Sequence, residues 1–110
     1  MITVLETDEF FEKSEALFSL QEKDDLVSYL SLYPESGDLI QGSGGIRKLR
    51  WQSKGRGKRG GARVIYFFYN DQYPLSLLTV YGKNQQEDLT PAQKSNYATF
   101  VKMLKKEWKA

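Results

Sequence analysis

Arg63-Val64-Ile65-Tyr66-Phe67-Phe68-Tyr69 is the strongest strand signal in the chain, dominated by β-branched and aromatic residues. These side chains suit a pleated, half-buried surface. The sequence on either side carries further strand patterns. Upstream, Ile46 to Gln52 alternates. Arg47, Leu49 and Trp51 fall on one side, with Ile46, Lys48, Arg50 and Gln52 on the other, the period of two that a strand imposes. Ser53 to Gly61, SKGRGKRGG, joins the two strands as a long hairpin loop, and Gly42-Ser43-Gly44-Gly45 leads into the first as a flexible or tightly turned segment. Downstream, Asp71-Gln72-Tyr73-Pro74 reads as a turn and Leu75 to Tyr81 as a returning strand.

Helical patterns flank this core. Ile2 to Leu5 is a short apolar run that suits a first strand. Thr7 or Asp8 then caps a helix through Phe18, with Phe10, Phe11, Ser14, Leu17 and Phe18 at helical spacing. Ser19-Leu20-Gln21-Glu22 is a capping box, in which serine oxygen and glutamate carboxylate each satisfy a free backbone N–H. The helix it opens should bury Leu26, Leu30 and Tyr33 along one stripe and stop at Pro34. Thr90-Pro91-Ala92-Gln93 is a second capping box, with proline at a position where its missing N–H costs nothing. Tyr97, Phe100, Val101, Leu104 and Trp108 form the apolar stripe of that last helix, and Lys94, Lys102, Lys105, Lys106 and Lys109 its polar side and C-terminal end. The order β-α-α-β-β-β-α predicts an α+β fold, with helices packed on a mostly antiparallel four-stranded sheet. With 110 residues, no internal repeat and no long linker, a single domain over residues 1–110 is expected.

Composition narrows the chemistry. Hydrophobic residues make up 40% of the chain, with six Phe, seven Tyr and two Trp, enough for a proper core. There is no cysteine and no histidine. Disulfides, thiolate nucleophiles and the commonest metal ligands are therefore absent, along with the side chain that titrates nearest neutrality. Catalysis would have to run on Lys, Arg, Tyr, carboxylates or hydroxyls, and no cofactor or metal is implied. The start, Met1 to Glu9, lacks the basic residues and apolar run of a signal peptide, and no stretch approaches about 20 apolar residues. A cytoplasmic protein with no membrane partner is expected.

The net charge of +2 conceals a segregation. Residues 1–38 carry ten acids and two bases, whereas residues 39–63 carry eight bases and no acid. Such a block makes a strong local field and predicts a polyanionic partner at one place. A solvated loop whose charges serve only solubility would not extend its bases into the strands at Lys48, Arg50 and Arg63. Glycines let a backbone approach phosphate closely, and arginine adds a fork that grips it through two hydrogen bonds. The spacing fits neither a P-loop nor a dinucleotide fingerprint. Gly55-Arg56-Gly57-Lys58-Arg59-Gly60 lies in a hairpin and lacks the final Lys-Ser/Thr, and a β-α-β context is missing. A sheet carrying bases and rings favours unstacked single strands, hence RNA over duplex DNA. Of the rings at Tyr66, Phe67, Phe68, Tyr69, Tyr73 and Tyr81, Tyr81 is the expected stacking platform, at a strand end beside Gly82-Lys83.

Three blocks together resemble the RelE/HigB superfamily of toxin–antitoxin ribonucleases, particularly its HigB-like branch. They are Gly44-Gly45-Ile46-Arg47-Lys48-Leu49-Arg50, SKGRGKRGGARVIYFF at 53–68 and LLTVYGKNQQEDLT at 77–90. The resemblance implies a RelE-like fold and the toxin component of a toxin–antitoxin system. Its activity would be that of a metal-independent, ribosome-dependent endoribonuclease that cleaves mRNA in the ribosomal A site and inhibits translation. Implied partners are mRNA on the ribosome, the ribosomal RNA of the A site and a cognate antitoxin of helix-turn-helix type. Carried onto this chain, the catalytic residues are Lys48, Arg50, Arg63 and Lys83, and the RNA-binding residues Arg47, Lys54, Arg56, Lys58, Arg59, Tyr81 and Asn84. The best-studied branch follows its Gly-Lys with an arginine and later a tyrosine. Asn84 and Thr90 stand at those places here, leaving Tyr81, Lys54 or Arg56 to compensate. The alternative is a non-catalytic RNA- or DNA-binding module using the same basic hairpin.

Overall fold

A computed structural model of the chain describes residues 1–54 and 61–109. Its elements are β1 (Val4–Glu6), α1 (Asp8–Leu17), α2 (Leu20–Leu32), β2 (Asp38–Leu39), β3 (Ile46–Trp51), β4 (Ala62–Phe67), β5 (Leu75–Gly82) and α3 (Pro91–Lys109). The expected α+β class holds. The expected sheet does not: it has five strands in the order β1-β5-β4-β3-β2, and it is mixed, because β1 runs parallel to β5.

The extra strand is β2. Gly42, Gly44 and Gly45 adopt φ of 73°, 82° and 114°, backbone that L side chains rarely take. This lets the chain reverse, so that Asp38 and Leu39 pair antiparallel with Lys48 and Arg47. Ser43 holds the turn: its hydroxyl donates to Ile40 O at 2.6 Å and accepts from Ile46 N at 3.0 Å. The glycine-rich segment is thus a hairpin turn rather than a loose lead into β3.

The sheet has an apolar layer on each face. Toward α1 and α2, Trp51, Val64, Tyr66, Leu77 and Val80 pack with Phe10, Phe18, Leu26 and Leu30. Toward α3, Ile46, Ile65, Phe67, Leu78 and Tyr81 pack with Val101, Tyr97, Phe100, Leu104 and Trp108. Each large side chain removed from water contributes roughly 1.5–3 kcal/mol. The alternation expected for β3 is therefore correct, with Leu49 and Trp51 in the first layer and Ile46 in the second. Ile65 pairs with Thr79 but Tyr66 with Leu77, so Leu78 is an inserted residue in β5. Beyond the short β1, α1 lies along the rest of β5. Thr7, its N-cap, bonds the carbonyls of Leu77 and Leu78 through its hydroxyl.

Both capping boxes form. Ser19 and Glu22 exchange bonds at 3.0 and 3.1 Å, and Thr90 and Gln93 do the same. Tyr33, expected on the buried stripe of α2, is 58% exposed. It is the C-cap, where the helical spacing that would have carried it inward has ended. Among the described residues no helix is long and apolar enough to cross a membrane.

Candidate nucleic-acid interface

Three of the four residues expected to be catalytic share the α3 face of the sheet. Arg50 pairs directly with Arg63 across β3 and β4, and Arg63 with Tyr81 across β4 and β5. Lys48 is two residues along from Arg50, opposite Ile65. Directly opposed side chains on an antiparallel pair stand about 4.5–5.5 Å apart at Cβ, and like charges there repel. Two arginines in register thus place concentrated positive charge at the end of the sheet from which the basic hairpin leaves. Arg50 is exposed and makes no hydrogen bond or ion pair with described residues. Arg63 is 1% exposed, its guanidinium sunk beside the core.

Lys83 follows β5 at the same end, where its N–H donates to Gly61 O at 3.1 Å and its side chain is exposed. The next residues, 83–90, connect β5 to α3 and bring Asp88 onto Lys48, Nζ to Oδ1 at 2.6 Å. The hydrogen bond and charge of Lys48 hold the Asp88 carboxyl below its usual range. Asp88 is a residue that sequence reading missed. It stands 40 positions from Lys48, and no local pattern links them.

Tyr81 does not offer an open ring. It is 5% exposed within the α3-side core, and its hydroxyl donates to Glu87 O at 3.4 Å. Burial, reinforced by the charges of Asp88 and Glu87 against the pull of Arg63, pushes its hydroxyl up to about 12. The expected stacking platform is therefore a core residue. Position 81 alternates onto the covered face, and being near a strand end did not expose it. Arg47, also expected to bind RNA, lies on the face opposite Lys48 and Arg50, as the alternation of β3 requires. There Nη1 donates to Glu35 O at 3.0 Å and Gly37 O at 2.7 Å. Nη2 stands 3.7 Å from the Glu35 carboxylate. This arginine clasps the chain between α2 and β2 to the sheet.

The start of the hairpin is anchored. Ser53 Oγ donates to Leu17 O, Lys54 N donates to Glu22 Oε1 at 2.8 Å, and Trp51 Nε1 donates to Glu22 O at 3.0 Å. Lys54 takes a φ of 49° and is exposed, as is Asn84. Arg56, Lys58 and Arg59 lie outside the described residues. No protein-family model matches this chain.

Proposed function

We propose that the end of the sheet bearing Arg50, Arg63 and Lys83 binds single-stranded RNA and cleaves it without a metal, as the toxin component of a toxin–antitoxin system. The observation that carries the reading is the direct pairing of Arg50 with Arg63. Two arginines in register concentrate positive charge at this end of the sheet, and the exposed Arg50 can present it to a phosphate. RNA supplies its own nucleophile. The 2′-oxygen attacks phosphorus, the 5′-oxygen leaves, and a 2′,3′-cyclic phosphate results. Arg50 and Lys83, exposed at this end, suit the charge that develops on the phosphoryl oxygens. Asp88 can accept the 2′-hydroxyl proton, and Lys48, its hydrogen-bond partner, can donate to the departing oxygen. A carboxyl held low is a weak base, so cleavage of free RNA should be slow, and alignment by the ribosome would supply much of the missing rate. The resemblance to RelE/HigB toxins adds mRNA in the ribosomal A site as substrate and a helix-turn-helix antitoxin as partner.

Burial of Arg63 favours one competing reading, a binding module that holds RNA without cutting it. Incubating the purified chain with a naked transcript and with programmed ribosomes, and mapping ends by primer extension, separates the two. Cuts confined to ribosome-bound mRNA are expected, and Arg50→Ala should lower the rate by about a hundredfold. Binding without cuts would identify the module. Equal cleavage of both substrates would overturn ribosome dependence.

A further inference from the structure

α3 carries its positive charge on one side. At 3.6 residues per turn, Lys94, Lys102, Lys105 and Lys109 fall within an arc of about 80° and span about 22 Å of the axis. Glu107, the only acid of the helix, points about 180° from the middle of that arc and has no lysine three or four positions away. Contacts fix what the stripe faces. Lys105 Nζ donates to Gly44 O at 2.8 Å and lies 5.5 Å from the ring centre of Phe67 and 5.8 Å from that of Tyr69. Lys109 Nζ stands 5.9 Å from the Tyr69 centre. Lys94 and Lys102 border a concavity of about 400 Å³ with Gly42, Ser95 and Thr99. The stripe therefore runs past the β2–β3 turn toward Tyr69, at the end of the sheet where Ile46 pairs with Phe67. The Arg50–Arg63 pair is at the other end.

None of these four lysines makes an ion pair with a described residue, and residues 40–45 of the facing turn carry no acid. A helix face that served only solubility would mix both signs, because glutamate–lysine pairs at i,i+4 stabilise it. We infer that this stripe is a second RNA surface, which holds the phosphate backbone of a double-helical stem. It goes beyond the cleavage reading, and only the choice of RNA as the polyanion rests on that reading. Lysine offers a point charge, which suits a row of phosphates and reads no base. The rings beside the stripe are already packed. Tyr69 stacks with Trp108 and Tyr73, centroids 6.1 and 5.6 Å apart, and the two lysines lie against it. Paired RNA is recognised through its phosphates and shape, without such stacking. Lys105 keeps two of its three protons for an anion after bonding Gly44 O.

Lys102→Gln combined with Lys109→Gln tests this, since both side chains are exposed and make no hydrogen bond with described residues. Lys13→Gln combined with Lys23→Gln removes the same net charge from α1 and α2 and serves as the control. Affinity for a blunt RNA duplex of about 16 base pairs is measured by fluorescence anisotropy at several salt concentrations, with thermal melts to confirm folding. The stripe variant should bind about tenfold more weakly at about 0.1 M salt, and its salt slope should fall by about two, one for each lysine lost. The control pair should change both by less. An equal loss in the control pair, or no duplex binding by the parent, overturns the stripe. Unchanged duplex affinity in the stripe variant also overturns it; if polyglutamate binding weakens instead, the face serves an acidic protein. Arg50→Ala tests the other end separately. If it leaves octauridylate affinity intact while the stripe results hold, the cleavage-end reading falls and the stripe stands.

Discussion

Gly37 stands where the chain between α2 and β2 presses on an aromatic ring. A Cβ there would lie 2.8 Å from both Cε1 and the hydroxyl of Tyr66 and 3.1 Å from Lys48 O. Its N–H donates to that hydroxyl at 2.8 Å, and the hydroxyl donates on to Pro34 O. Because Tyr66 is fully buried on β4, neither partner can retreat. Gly37→Ala should therefore destabilise the chain by about 1–3 kcal/mol in urea unfolding. Tyr97 and Glu9 make a second long-range contact, joining α3 to α1 by a hydrogen bond from the phenol to the carboxylate. Burial, then this bond, pushes the Tyr97 hydroxyl up to about 12. Burial pushes the Glu9 carboxyl upward, but the nearby Thr79 hydroxyl, the bond from Tyr97 and the charge of Lys13 outweigh it, and the net shift is downward. The signs differ. A raised tyrosine contributes stability below its unfolded value near 10 that disappears as pH rises toward 12, whereas a lowered carboxyl contributes above its ordinary value and loses it in acid. Thermal melts should hold their midpoint up to about pH 10 and fall from there toward 12, and Tyr97→Phe should weaken both the alkaline and the acid dependence. An unchanged alkaline slope in Tyr97→Phe would show that this contact carries none of it.

Helix ends were the most legible elements, because a cap is written within four residues. Ser19 with Glu22, and Thr90 with Gln93, bond as their spacing requires. Glu22 does more than its motif announces, since Oε1 also accepts from Lys54 N and so ties the basic hairpin to the start of α2. Ser19→Ala should cost about 1 kcal/mol, as ordinary cap losses do. Glu22→Ala should cost more and also raise amide exchange at Lys54, measured by hydrogen–deuterium exchange. Equal effects of the two substitutions would mean that the hairpin anchor is idle. Strand partners were much less legible. The β-branched run around Ile65 marked β4, but nothing in Ile2 to Leu5 signals that it will pair parallel with Leu75 to Leu77. A two-residue strand such as β2 is too short to show a period, and only the positive φ values of the following glycines bring it to β3.

Across the molecule, the acidic first third and the basic middle take different places. α1 and α2 cover one face of the sheet, and the hairpin leaves from the end where Arg50, Arg63 and Lys83 gather. If this end neutralises phosphates, the logarithm of RNA affinity should fall linearly with the logarithm of salt concentration, by about 0.7 for each phosphate contacted on a single strand. Arg50→Ala should lower that slope by about one such unit, read from anisotropy titrations at several salt concentrations. An unaltered slope would place the phosphate contact elsewhere.

Local order in the chain already dictated the caps, the two-sided pattern of β3, the strand at β4 and the basic block, since each depends on neighbours two to four positions apart. Folding alone assigned partners across long separations. It laid Asp88 on Lys48, sank Arg63 and Tyr81 beneath the α3 side, and gave Arg47 the carbonyls of Glu35 and Gly37 to hold as a structural clasp. The physical reason is that alternation and capping follow from backbone geometry within one element. Which charge is covered, paired or left open depends on what the other elements pack against it.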